Sequence, residues 1–128
     1  RRGSFDGSNV QNVKLKYIDR YFSLKGGCYT IADSIKSHVC FCEHDLLDDN
    51  SIFPPESIYG SFDIVFCSNV MIYFREDFRK IIIDKLRRSL STGGYLILGE
   101  AERAFVGAEG NMRHYTPTVA IFRKSGRS

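Results

Sequence analysis

The apolar residues of this chain follow two periods. Phe62, Ile64, Val65 and Phe66 make a nearly continuous run of aromatic and β-branched residues that stops at Ser68 and Asn69. Such a run suits a strand covered on both faces in a parallel sheet. From Glu76 to Leu90 the spacing becomes helical: Phe78, Ile82, Leu86 and Leu90 form one stripe, widened by Ile81 and Ile83, behind an acidic start at Glu76 and Asp77. A stripe that wide predicts a helix packed on the sheet. It closes at Ser91, Thr92, Gly93 and Gly94, where glycine supplies a left-handed cap, and GYLILGE reads as the next buried strand. In open α/β sheets ligands bind outside the carboxyl ends of strands, so Ser68 and Asn69 are candidates for a site.

The remaining segments are shorter. The opening RRGSFDGSN is poor in apolar residues and predicts a loop. Val10, Val13, Tyr17, Tyr21 and Phe22 have the spacing of a short helix or turn. In SLKGGCYTI, Gly26 and Gly27 separate two stretches rich in aromatic or β-branched residues and permit positive φ at both central positions, which predicts a hairpin. Ile31 to Ser37 is ambiguous. A strand is expected from His38 to about Glu43, running into an acidic loop through Asp48 and Asp49. Asn50 to Gly60, with Pro54 and Pro55, reads as a surface connection, Ala101 to Thr116 as a loop region and TVAIFRK as a last strand.

Composition sets bounds on this picture. At 128 residues, 43% hydrophobic, the chain is of single-domain size and rich enough in apolar residues to bury a core. Its formal net charge of +3 is too small and too dispersed for the concentrated basic stripe of a nucleic-acid binder. The basic clusters, Lys85, Arg87 and Arg88 late in the helix and Arg123, Lys124 and Arg127 at the end, read as helix-dipole complementarity and a solvated tail. No apolar run reaches the ~20 residues of a membrane span and no signal peptide opens the chain, so a cytoplasmic location without membrane insertion is expected. The four cysteines, Cys28, Cys40, Cys42 and Cys67, lack a disulfide-framework spacing and read as free thiols. His38, Cys40, Cys42 and His44 would share one face of the expected strand. Residues two apart on a strand stand roughly 6.6 Å apart along the axis, so all four cannot converge on an ion whose ligands lie about 2.0 to 2.3 Å away. No metal is expected.

FDIVFCSNVMIYF, followed at helix length by LRRSLSTGGYLILGEAE, resembles the chemotaxis receptor methyltransferases of the CheR type. Their pattern at this point is a strand ending Phe, Cys, Arg, Asn, then Val, a hydrophobe, Ile, Tyr, Phe. Upstream, Asp19 to Phe22, Tyr29 and VCFCEHDLLD from Val39 to Asp48 match in order and spacing. The resemblance implies S-adenosylmethionine as cofactor and glutamate side chains of the chemoreceptor cytoplasmic region as methyl acceptors. It places Asp45 and Leu46 at the adenine end of the cofactor, Asp45 standing where asparagine is usual. Ser68 and Asn69 fall where an Arg-Asn pair lines the cofactor site, so the guanidinium is lost. Tyr73 matches the tyrosine beside the transferring methyl group and is the implied catalytic residue, able to orient the acceptor carboxylate or the sulfonium. Without the motif, Tyr73 reads as a core aromatic with its hydroxyl at the surface, Asn69 as a cap or turn residue, and Asp45 as a solvated loop acid. Gly99, Glu100, Ala101 and Glu102 stand where the family has Gly-His-Ser-Glu, and the hairpin around Gly26 and Gly27 resembles its small inserted β-subdomain.

A glycine-rich turn after the first strand and an acidic residue ending the second hold nucleotide-type cofactors on doubly wound sheets. The resembled family has both, after a helical N-terminal domain, whereas Arg1 to Phe5 here aligns just beyond the second strand. The expected fold class is therefore α/β: a partial Rossmann-like (class I) methyltransferase sheet lacking its first two strands. Residues 1–128 would be the C-terminal portion of the domain, with the β-hairpin subdomain over about residues 16–37. A sheet so cut exposes edges and apolar faces, which predicts a homodimer, a strand swap, or the removal of a preceding part. Two functions follow: a fragment of a protein-glutamate methyltransferase, inactive alone, or a degenerate domain kept as a protein-interaction module.

Overall fold

The computed structural model describes residues 3–48, 50–57, 60–107 and 110–126. Arg1 and Arg2 of the opening, Asp49 of the acidic loop, Ile58 and Tyr59 of the connection, Ala108 and Glu109, and Arg127 of the basic tail lie outside the described residues. The chain divides into two compact units, Arg1–Phe41 and Cys42–Ser128.

The first unit is a small antiparallel sheet with short helices. Its strands β1 (Ser4–Phe5), β2 (Phe22–Lys25) and β3 (Cys28–Ile31) lie in the order β1-β3-β2. Gly26 and Gly27 adopt φ of +55° and +79°, so Lys25 pairs directly with Cys28 across the two-residue turn expected from the sequence. The opening is not the loop its composition suggested. Ser4 and Phe5 pair with Thr30 and Tyr29, and Asp6 then caps helix α1 (Gly7–Val10) by accepting the Asn9 N–H at 3.1 Å. The helical spacing up to Phe22 yields α2 (Leu15–Tyr21), separated from α1 by Gln11 to Lys14. The ambiguous segment splits as well: Ile31 ends β3 and Asp33–Lys36 forms α3.

The strand expected from His38 to Glu43 does not form. A strand needs a backbone ladder to satisfy its polar groups, and at its expected start the N–H groups of His38 and Val39 instead bond back to the carbonyls of Ile35 and Lys36 at 3.0 and 3.2 Å. Beyond its expected end, the carbonyls of Asp45 and Asp48 accept hydrogen bonds from the Lys85 ammonium at 2.5 and 2.7 Å.

The second unit carries a four-stranded mixed sheet and one long helix. Strand β4 (Phe62–Cys67) leads through a 3-10 turn at Met71–Tyr73 into α4 (Glu76–Ser89) and then β5 (Leu90–Leu98). With β6 (Met112–His114) and β7 (Ile121–Lys124) the sheet order is β4-β5-β7-β6; β4 and β5 are parallel and the other pairs antiparallel. In register, Val65 faces Leu96, Cys67 faces Leu98 and Leu96 faces Phe122. This face packs with Ile82 and Leu86 of α4 into the core, joined by Met71, Val106, Met112 and Ala120. Alternate residues point the other way, and on β4 that side is open: Ile64 is 54% and Phe66 73% exposed. The expected strand covered on both faces is thus an edge strand covered on one.

Three other expectations change in detail. α4 stops at Ser89, with the Leu90 N–H on the Arg87 carbonyl, and the Gly93–Gly94 pair lies in a bulge where the partner of Phe62 is Leu90 but that of Ile64 is Tyr95. The region read as a loop from Ala101 to Thr116 holds a 3-10 helix over Glu100–Phe105 and strand β6. Two cations of the basic clusters take backbone partners: Lys85 is 6% exposed, and the partly buried Lys124 donates to the Leu90 carbonyl at 2.5 Å. Burial, followed by the nearby charge of Arg87, lowers the pKa of Lys124. Among the described residues no helix is long and apolar enough to cross a membrane.

Chemical denaturation should separate the two faces of this unit. Ile82→Ala, at a fully enclosed position, is expected to cost about 3 kcal/mol, and Ile64→Ala on the open face less than about 1 kcal/mol.

Candidate functional site

The carboxyl end of β4 turns sharply at Ser68 and Asn69. Asn69 has φ of +60°, a left-handed conformation that asparagine tolerates better than most residues. The chain then drops Met71 into the core with no exposed surface and closes the 3-10 turn by the Phe74 N–H on the Met71 carbonyl at 3.0 Å. The same carbonyl accepts from Arg79 Nε of α4 at 3.0 Å, and that guanidinium sits 4.0 Å from the centroid of the Phe105 ring. Helix α4 and the segment after β5 are thereby both tied to the turn after β4.

At the centre of this junction lies Glu102, with none of its surface exposed. Its Oε1 accepts the Met71 N–H at 2.7 Å; its Oε2 accepts those of Asn69 at 2.9 Å and Gly99 at 3.0 Å. Burial alone would raise its pKa, but the amides of Gly99, Asn69, Met71 and Ile72 outweigh it and hold the carboxyl below the ordinary carboxylate value. The Cys67 thiol is shifted the other way, first by burial and then by the Glu102 charge, which raise its pKa. Gly99 completes the arrangement through close approach. A Cβ built there would lie 2.7 Å from Asn69 Oδ1 and 3.1 Å from Glu102 Oε2.

Ser68, Asn69 and Tyr73, singled out from the sequence, therefore sit on one turn at the rim of the parallel β4–β5 pair. Tyr73 is 82% exposed, so it is no core aromatic, while Asn69 is a turn residue in geometry whatever else it does. Asp45 and Leu46 belong to a different segment, fastened to α4 by Lys85. The Asp45 carboxylate is turned onto its own loop, where Oδ1 accepts the Leu47 N–H at 2.8 Å, and Leu46 packs partly buried against the core.

Two organising residues escaped the sequence reading, although each left a signal. Glu102 stands three residues after Gly99, the spacing at which an acid reaches back to the start of a helical turn. Lys85 falls between Ile82 and Leu86 on the buried side of α4, where a cation must find acceptors. Chemically the rim offers a hydroxyl, an amide and a phenol beside exposed Val70 and Ile72. The missing Cβ of Gly99 leaves room for the Asn69 side-chain oxygen.

Comparison with known proteins matches residues 1–121 to the family described as CheR methyltransferase, SAM binding domain. The chain is similar to the chemotaxis protein methyltransferase Cher2 of Pseudomonas putida, 36% identical over 104 residues, covering 80% of this chain and 36% of that protein. It is 33% identical over 100 residues to an uncharacterised 104.1 kDa protein of Rhodobacter capsulatus, covering 78% of this chain and 10% of the other. It is also similar to the probable biofilm formation methyltransferase WspC of Pseudomonas aeruginosa, 29% identical over 126 residues, or 98% of this chain and 29% of that protein. The chain thus spans from a tenth to about a third of the length of these relatives.

The junction makes two expectations. Gly99→Ala should destabilise the fold by about 1–2 kcal/mol, and Asn69→Ala in the same chain should recover part of that loss by removing the nearest atom, which a double-mutant cycle in urea would read. Because the Glu102 carboxyl is depressed in the folded state, its contribution is full above the ordinary value near 4.5 and is lost as pH falls through the folded value. The melting temperature should accordingly fall more steeply in acid for the wild type than for Glu102→Gln.

Proposed function

The chain belongs to the CheR methyltransferase family, and from that premise we propose that it forms the C-terminal portion of a methyltransferase domain acting on glutamate side chains of chemoreceptors. The cofactor of the matched domain is S-adenosylmethionine, which when bound supplies a methyl group on an electrophilic sulfonium. The reading rests on the rim of the parallel β4–β5 pair, where Ser68, Asn69 and Tyr73 share one turn at the edge at which open α/β sheets bind ligands.

In this reading Asn69 and Ser68 hold the polar end of the cofactor by hydrogen bonds, and Asp45 and Leu46 receive the adenine. The phenol of Tyr73 orients the acceptor carboxylate. An ionised carboxylate is already a nucleophile at neutral pH, so methyl transfer asks for alignment more than for proton transfer. No general base is assigned. The open face of β4, with Ile64 and Phe66 exposed, is the surface on which a further part of the sheet or a second copy of the chain would pack. The hairpin β2–β3 stands as the small β-subdomain, over about residues 16–37.

A second reading, a methyltransferase-like domain kept for binding other proteins, starts from Ser68 and Glu100, which stand where the family has arginine and histidine. The Glu100 carboxylate accepts the Ala120 N–H of its own chain at 3.0 Å.

Calorimetry with S-adenosylhomocysteine on the longest form of the protein that contains this chain distinguishes the two. Binding weakened at least tenfold, or about 1.4 kcal/mol, by Asn69→Ala and by Asp45→Ala supports the methyltransferase. Absence of binding at millimolar ligand supports the interaction module.

A further inference from the structure

Ser68, Asn69 and Tyr73 are exposed and lie on a short turn after an edge strand, a setting in which side chains usually wander. Three features remove that freedom. Met71 is sunk in the core, Arg79 holds the Met71 carbonyl, and Glu102 gathers the amides of Asn69, Met71 and Gly99. The last joins the turn after β4 to Gly99, directly after β5, through backbone amides of both segments. It is also the only one of the three that holds Asn69 directly, at a residue whose left-handed φ costs energy to maintain.

We infer that Glu102 is a positioning residue of the cofactor site: its buried carboxylate, bonded to backbone N–H groups from two chain segments, sets Asn69 and the Met71–Tyr73 turn in the geometry that receives the cofactor. The inference rests on the methyltransferase reading for the identity of the ligand. The clamp itself rests on distances alone. Each oxygen has its own work, Oε1 on Met71 and Oε2 on Asn69 and Gly99. A glutamine of the same size must therefore turn an NH2 donor toward N–H donors on one side or the other. Glu102→Gln breaks part of the clamp without opening a cavity, and Glu102→Asp keeps the charge while shortening the reach.

The test combines amide hydrogen exchange with S-adenosylhomocysteine titration on the same preparations of the longest form of the protein that contains this chain. In Glu102→Gln the amides of Asn69, Met71 and Gly99 are expected to exchange at least tenfold faster, while those of Leu96 and Leu98 in the ladder keep wild-type protection. Affinity should fall at least tenfold in parallel, and Glu102→Asp should lie between the two. If Glu102→Gln does not fold, Glu102→Asp against wild type carries the same comparison. Unchanged exchange at the three amides overturns the clamp; loosened amides with affinity within twofold of wild type overturn its positioning role. Failure of the wild type to bind the ligand would instead overturn the methyltransferase reading and the positioning role with it, leaving the exchange pattern to decide the clamp.

Discussion

A carboxylate without exposed surface is tolerated in a protein only where donors replace the water it has lost. Glu102 meets that condition with backbone amides, which cannot move away as a side chain could. The consequence reaches well beyond one residue. The ends of two parallel strands, the left-handed turn at Asn69 and Met71, seated in the core, all bond to this one carboxylate. Lys85 is the counterpart of opposite sign. Its enclosed ammonium takes the carbonyls of Asp45 and Asp48, as Glu102 takes amides. An anion gathers orphaned donors at one junction, and a cation gathers orphaned acceptors at another.

The sequence made the regular parts of the second unit readable. The stripe from Phe78 to Leu86 became part of α4, while Leu90, its expected last member, opens β5; the apolar runs around Ile64 and Leu96 became the parallel pair β4 and β5. Gly26 and Gly27 disclosed the hairpin because positive φ at two successive positions is a local demand that few residues meet. Failures came where long-range partners decide. VCFC has the composition of a strand, yet a strand is a property of two segments, and the carbonyls that follow it went to Lys85. The opening looked like a loop until β3 offered it an edge. Of the candidate site, the motif around Asn69 and Tyr73 was legible as a rim. The support beneath it was not, since Glu102 acts across 33 residues of sequence and nothing in its neighbourhood advertises the partner.

The two faces of β4 describe different histories of burial. Val65 and Cys67 turn toward α4 and the core, whereas Ile64 and Phe66 look outward with much of their surface wet. The turn with Ser68, Asn69 and Tyr73 follows directly on this strand, at its carboxyl end.

The thiol of Cys67 offers a way to watch that end. Cys28, Cys40 and Cys42 are exposed, while Cys67 is enclosed and its pKa is raised by its surroundings. An electrophilic label at neutral pH would consume the first three and stall at the fourth. Slow modification of the last sulfur would then time the breathing of the strand end itself, a chemical stopwatch placed two residues from Asn69.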